Sequence, residues 1–273
     1  MQPFRVANLS FLNSAPYAAC AEVEGIEYAA HLPVENEQLL ARGSVDAALV
    51  SLASYLSQPD LALLPFGIIG DGPVESVMLY SRVPVEAVKT VLLDSSSRTS
   101  VLLAQVLLSN MPRMFSPDLS LALEAALKGE CAAVVIGDRA LQLRGRFPFQ
   151  YDLCELWKER TGLPFVFAVW AVKAATLSHP CLPRLLTAFE KGVQDLTHYA
   201  QEWSVRHNLN QEYARHYLHE CIRFKVTPRA LEGSRLFYRV ARSRGLLPAV
   251  AREESLQLSA VGPHAESFQV ALR

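Results

Sequence analysis

The hydrophobic positions of this chain form short unbroken runs divided by longer stretches of helical period, the alternation that builds α/β folds. A first strand is predicted at 4–9, leading through Ser10-Phe-Leu-Asn-Ser-Ala-Pro16 into a helix. Two segments then read as copies of one unit: Leu39-Leu-Ala-Arg-Gly43 with the strand that follows to Val50, and Ala125-Ala-Leu-Lys-Gly129 with the strand that follows to Ile136. In each, a helix ends on a glycine and the next run is almost wholly apolar, as in strands buried on both faces of a parallel sheet. Further strands are predicted at 76–80, 88–93 and 165–172, and helices at 101–108 and 119–128. Three amphipathic runs, 181–201, 211–221 and 228–244, predict helices of structural role packed on the first unit. The tail from 249 has no period and reads as irregular.

These elements predict an α/β chain of two lobes, the first made of 1–84 and 172–273 and the second of 85–171, with the chain crossing at 81–86 and returning along the strand at 165–172. Two crossings imply a hinge and a central cleft. Clefts between lobes are favoured ligand sites because both walls can close and exclude water.

The most distinctive polar stretch, Asp94-Ser-Ser-Ser-Arg-Thr-Ser100, joins the strand at 88–93 to the helix at 101–108. A loop in that position aims free backbone N–H groups outward at the positive end of the helix dipole, and its hydroxyl and guanidinium groups add donors, a receptor for carboxylate or phosphate. Helix capping by Ser97 or Thr99 is the plainer reading, but capping needs one residue and this loop offers several. The glycine-lysine pattern of a nucleotide P-loop is missing, which favours a carboxylate.

Strand ends in open α/β sheets converge on such a cleft. This brings Ser10, Asn13, Ser14 and Ser51 from the first lobe and Ser97, Arg98, Thr99, Ser100 and Asp138 from the second, with Gly72-Pro-Val-Glu-Ser76 and Thr161-Gly162-Leu-Pro-Phe165 on the rim. Asn13 suits a turn ahead of Pro16 as well as a ligand contact, and Asp138 suits a helix N-cap as well as a base. Glu75 is either a base beside the cleft or a solvent-facing residue.

Composition narrows the chemistry. The 273 residues carry 26 Lys plus Arg against 27 Asp plus Glu, so no net field invites nucleic acid or an anionic membrane. A small molecule is the expected partner. Five scattered cysteines with no CxxC pair suit reduced thiols in a cytoplasm. A basic leader with a long apolar core is not evident, and no run approaches the roughly 18 apolar residues that span a bilayer. The seven histidines include no HExxH, no GxSxG elbow is present, and no GxGxxG follows the first strand. Neither a metal nor a cofactor is expected. Nothing in the chain specifies its oligomeric state.

Taken together, Phe11-Leu-Asn-Ser-Ala-Pro16, Gly72-Pro-Val-Glu-Ser-Val77, Ser97-Arg-Thr-Ser100, Ile136-Gly-Asp138 and Trp157 with Thr161-Gly-Leu-Pro-Phe-Val-Phe167 resemble the MqnA family, chorismate dehydratases of the futalosine route to menaquinone. Tyr17 stands where the resemblance implies an aliphatic residue in the cleft wall. The resemblance implies a type II periplasmic-binding-protein fold used as an enzyme, a dianionic substrate, chorismate, and loss of water to give 3-[(1-carboxyvinyl)oxy]benzoate. On that footing Ser97 to Ser100 grip a carboxylate, Asn13 and Ser76 orient the ring and assist departure of the hydroxyl, and the substrate's own enolpyruvyl carboxylate takes the ring proton. The rivals are a receptor of the same fold that binds a carboxylated solute unchanged, the related enzyme that forms 1,4-dihydroxy-6-naphthoate, and an effector domain of a transcription regulator, for which the chain shows no DNA-binding segment.

Overall fold

The computed structural model describes residues 3–94, 97–108, 112–116, 123, 127–259 and 261. Two mixed sheets result. The first is made of β1 (Phe4–Leu9), β2 (Ile26–His31), β3 (Ala47–Ser51), β4 (Leu61–Gly70), β10 (Phe165–Lys173) and β11 (Arg223–Lys225), in the order β11-β4-β10-β3-β1-β2. The second is made of β5 (Val77–Ser81), β6 (Thr90–Asp94), β7 (Arg113–Ser116), β8 (Cys131–Ile136) and β9 (Phe149–Asp152), in the order β7-β6-β8-β5-β9. In each sheet the repeated unit is parallel: β1 with β2 and β3, and β6 with β7 and β8. Helix α1 (Pro33–Arg42) ends on Gly43 in the left-handed region, and Gly129 has the same backbone sign before β8.

Two strands sit in the other sheet from the one expected. The run at 76–80, assigned to the first lobe, is β5, which pairs antiparallel with β8 and β9 in the second sheet. The run at 165–172, assigned to the end of the second lobe, is β10, which pairs antiparallel with β3 and β4 in the middle of the first. The chain therefore crosses through 71–76, ahead of 81–86, and returns through 162–164. The physical reason is β4, a fully buried ten-residue strand that takes the place beside β10. Pro65, Gly67 and Gly70 hide it in the sequence pattern. Pro65 is tolerated because it falls at a register shift in the β4–β10 ladder, where no N–H is called for, while its carbonyl accepts from Val226 N at 3.0 Å.

The helix predicted to follow Pro16 starts earlier, as a 3-10 helix over Leu12–Glu22 with Pro16 inside it. The run at 181–201 is two helices, Cys181–Gln194 and Leu196–Arg206, divided at Asp195, whose side chain accepts from His198 N. The run at 211–221 begins as an α-helix over Gln211–His216 and continues as a π-helical turn over Tyr217–Cys221. The predicted helix at 119–128 lies mostly outside the described residues. Of the tail, 249–259 is irregular in form but tied down: Tyr55 Oη donates to the Ser255 carbonyl at 2.6 Å and Ser259 N to the Leu63 carbonyl at 3.0 Å.

Tyr17 does not face a cleft. It is fully buried, its ring meeting Phe66, Trp170, Phe189 and Phe224 edge-on, and its hydroxyl bonds the Gly67 carbonyl at 2.7 Å. Burial without compensating charge pushes the phenol well above its ordinary value. The 3-10 helix that carries Tyr17 is backed by the Cys181–Gln194 helix so closely that a Cβ on Gly192 would run into the Pro16 carbonyl. Replacing Gly192 by alanine is expected to lower unfolding free energy by about 1–3 kcal/mol through overpacking, read as an earlier midpoint in urea. An unchanged midpoint would show that the two helices are not in backbone contact.

Candidate active site

Between the sheets lies a narrow cavity of about 50 Å³. The first sheet and its loops contribute Leu9, Phe11, Asn13, Ser51, Ile68 and Phe167; the second contributes Ser76, Val77, Ser97, Ser100, Ile136 and Gly137. The polar lining is thus Asn13, Ser51, Ser76, Ser97 and Ser100, and every one of these side chains is uncharged. Hydrophobic walls with a few convergent polar groups are the usual make-up of a small-molecule site.

Ser97 and Ser100 sit at the start of α3 (Arg98–Leu107). Ser97 Oγ accepts from Ser100 N at 3.4 Å and donates to Ser100 Oγ at 3.0 Å, so capping and cavity lining belong to the same residue. Ser95 and Ser96, part of the same predicted loop, lie outside the described residues. Ser51 ends β3 and caps the short helix α2 (Leu52–Leu56), accepting from Ser54 N at 3.2 Å, while its hydroxyl donates to Glu37 Oε1 at 2.5 Å.

Asn13 and Ser76 meet through a residue the sequence reading did not single out. Tyr217, buried on the π-helical turn, donates from Oη to Ser76 Oγ at 2.8 Å, and Asn13 lies near enough to bear on this phenol. Burial raises the Tyr217 pKa well above the ordinary phenol, so it acts as a neutral hydroxyl. Asn13 Oδ1 is shut off from solvent and has no partner. An unpaired acceptor in the lining of this cavity is a place for a donor on a guest.

The other predicted site residues are near the cavity without lining it. Ser10 uses its backbone N–H on the His31 carbonyl at 3.0 Å. Ser14 Oγ bonds the Leu9 and Phe11 carbonyls at 2.6 and 2.8 Å and holds the turn that presents Asn13. Thr99 Oγ1 accepts from Ala53 N at 3.0 Å, tying α3 to α2. Arg98 is exposed and lies 3.8 Å from Glu37 Oε2. Asp138 neither caps its own helix nor faces the cavity: Oδ1 accepts from Leu12 N at 3.0 Å and Oδ2 pairs with His207 Nδ1 at 2.7 Å. Thr161 Oγ1 bonds the Trp157 carbonyl at 2.8 Å, and Gly162, left-handed at φ 71°, closes the helix before β10. Glu75 is neither free base nor solvent-facing; it accepts from Tyr213 Oη at 2.5 Å and pairs with Arg144 at 3.5 Å.

A family model described as menaquinone biosynthesis matches residues 4–243. The chorismate dehydratase of Thermus thermophilus is 31% identical over 241 residues, covering 80% of this chain and 88% of the relative. The chain belongs to the MqnA family. The chorismate dehydratase of Campylobacter jejuni is 27% identical over 223 residues, with 81% of this chain and 86% of the relative covered. In fold the family member is similar to the alkanesulfonate-binding protein SsuA of Xanthomonas axonopodis, with a TM-score of 0.71 at 13% identity and 94% and 98% of the two chains covered. The periplasmic aliphatic sulphonate binding protein SsuA of Escherichia coli gives 0.66 at 13% identity, with 96% and 94% covered. The two sheets and their cleft are therefore the expected periplasmic-binding-protein fold. No helix among the described residues is long and apolar enough to cross a membrane.

The loop that delivers Ser76 is held by Asp152. Its Oδ2 accepts from Val74 N at 2.7 Å and Glu75 N at 2.6 Å, and its Oδ1 from Cys154 N at 2.8 Å and Glu155 N at 3.1 Å. Burial outweighs these four donors and pushes the carboxyl up to about 6. Asp152→Asn keeps one acceptor oxygen and turns an amide NH2 toward two N–H donors. It is expected to cost about 1–3 kcal/mol in urea unfolding, and a loss below the error of the measurement would show that the loop does not depend on this carboxylate.

Proposed function

We propose that this protein eliminates water from chorismate to give 3-[(1-carboxyvinyl)oxy]benzoate, in the futalosine route to menaquinone, and acts in the cytoplasm. The chorismate dehydratases of Thermus thermophilus and Campylobacter jejuni, to which it is similar, support the reaction, and five free cysteines suit a reducing compartment. The observation that carries the reading is the unpaired, buried Asn13 Oδ1 beside Ser76 in a cavity of neutral donors. The ring hydroxyl of chorismate is the donor that acceptor lacks.

In this reading the Ser100 hydroxyl, held by the one Ser97 donates to it, grips a substrate carboxylate at the positive end of α3. Asn13 Oδ1 accepts from the ring hydroxyl and orients it, while Ser76, whose oxygen accepts from Tyr217, donates its own proton to the oxygen that departs. The ring carbon that bears the ether loses its proton, the electron pair of that C–H bond forms the ring double bond, and the neighbouring C–O bond breaks with loss of hydroxide. The ring becomes aromatic, which supplies the thermodynamic drive. The cavity lining carries no ionisable side chain among the described residues. Asp138 and Glu75 are committed to His207 and to Tyr213 with Arg144. The proton accordingly goes to the enolpyruvyl carboxylate of the substrate, which the cavity holds over the ring. Positioning of this kind and fixed donors at developing charge each supply several kcal/mol. The two sheets act as the two closing walls.

Incubation with chorismate is expected to give the aromatic absorbance of the benzoate product. Asn13→Ala and Ser76→Ala should each lower kcat on the order of 10²-fold with circular dichroism unchanged, and near-native kcat in both would remove them from the mechanism.

A further inference from the structure

Glu37 is a buried carboxyl one hydroxyl away from a cavity proposed to hold a dianion. It lies on α1, its residue only 8% exposed, with Oε1 against Ser51 Oγ at 2.5 Å. Arg98, from the first turn of α3, is the charged group that faces it, at 3.8 Å from Oε2; Ser51 and Ser54 are the neutral ones. Arg98 is 53% exposed on its side chain, so water screens it and it compensates the carboxylate weakly.

The hydrogens of Ser51 can be counted. Its hydroxyl has one proton and two lone pairs. One lone pair accepts from Ser54 N. With Glu37 ionised, the Ser51 proton goes to Glu37 and the remaining lone pair is all that the cavity is offered, which repels a carboxylate. With Glu37 protonated, the carboxyl donates to Ser51, and the Ser51 proton is released toward the cavity. We infer that Glu37 is the residue that makes Ser51 a donor to the substrate's carboxylate, and that the dianion enters the site together with one proton, which Glu37 keeps while the cavity is occupied. The inference rests on the chorismate reading and adds a proton to its binding step.

The sign follows from the surroundings. Burial already raises the Glu37 pKa above the ordinary carboxylate value, and two further negative charges nearby raise it again. The group therefore loses its proton as pH rises, and binding weakens with it. Glu37 acts through Ser51 and is a positioning residue. Glu37→Gln supplies a permanently neutral side chain of the same shape, with an amide that donates to Ser51 at every pH.

The test is calorimetric titration of the benzoate product into the unaltered protein from pH 6 to 9, in pairs of buffers that differ in ionisation enthalpy. Proton uptake is expected to grow with pH toward one per ligand, and KM for chorismate to rise up to tenfold per pH unit across the same range. Glu37→Gln should abolish the uptake and flatten the KM profile. Binding without uptake at every pH, or an unchanged KM slope in Glu37→Gln, would overturn the inference while leaving the chorismate reading intact. A protein that neither binds nor converts chorismate defeats both. Should Glu37→Gln fail to fold, Ser51→Ala, which removes the hydroxyl that links Glu37 to the cavity, is expected to diminish the uptake, and undiminished uptake in it would overturn the inference.

Discussion

Phe165 lies opposite Gly70 in the antiparallel ladder of β10 and β4, and the placing of the second sheet against the first starts from that rung. The chain leaves the first sheet at one side of it and comes back at the other, so the whole of the second sheet hangs from two adjacent strand ends. Asp152 fastens the two legs. It takes the backbone N–H groups of Val74 and Glu75 on the outgoing leg and caps the helix that leads to the returning one. Ser76 and Phe167, a few residues beyond these fastenings, can then face one another across the cavity with little freedom.

A cavity lined by neutral groups is an unexpected receptor for two negative charges, yet it suits the proposed reaction. Substrate and product carry the same two carboxylates. A grip on those groups binds both states equally and does nothing for the barrier, and a cationic clamp would hold the product as firmly as the substrate. Hydroxyls at a helix end give orientation without demanding that a buried arginine be stripped of water. Discrimination is left to the one place where the two molecules differ, the departing hydroxyl, where the proposed reading puts Asn13 and Ser76.

The parts of this molecule set by local chemistry could be read from the sequence. Glycine stops at Gly43 and Gly129, the apolar β3 and β8, and the serine-rich start of α3 each follow from a few neighbouring residues. Sheet membership could not be read, because β5 and β10 look alike in either sheet and the strand that decides between them, β4, is broken up by proline and glycine. For the site, Asn13, Ser51, Ser76, Ser97 and Ser100 were found as polar residues at strand or helix ends. Ser14, Thr99, Thr161 and Gly162 share that signature and serve turns and ties, since the pattern records that a hydroxyl is present and not what it bonds. Tyr217 and Glu37 escaped for the opposite reason: each reaches the cavity through a serine, from an amphipathic helix whose period marks it as structural.

Asp138 joins segments 126 residues apart by accepting the Leu12 N–H at the first turn of the helix that carries Asn13. Both of its oxygens are occupied by scaffold. A growth screen on the menaquinone pathway reads the loss of such a tie in the same way as the loss of a general base. Its real office is that of a keystone, and the two lobes of the arch it locks are the ones between which the substrate must fit.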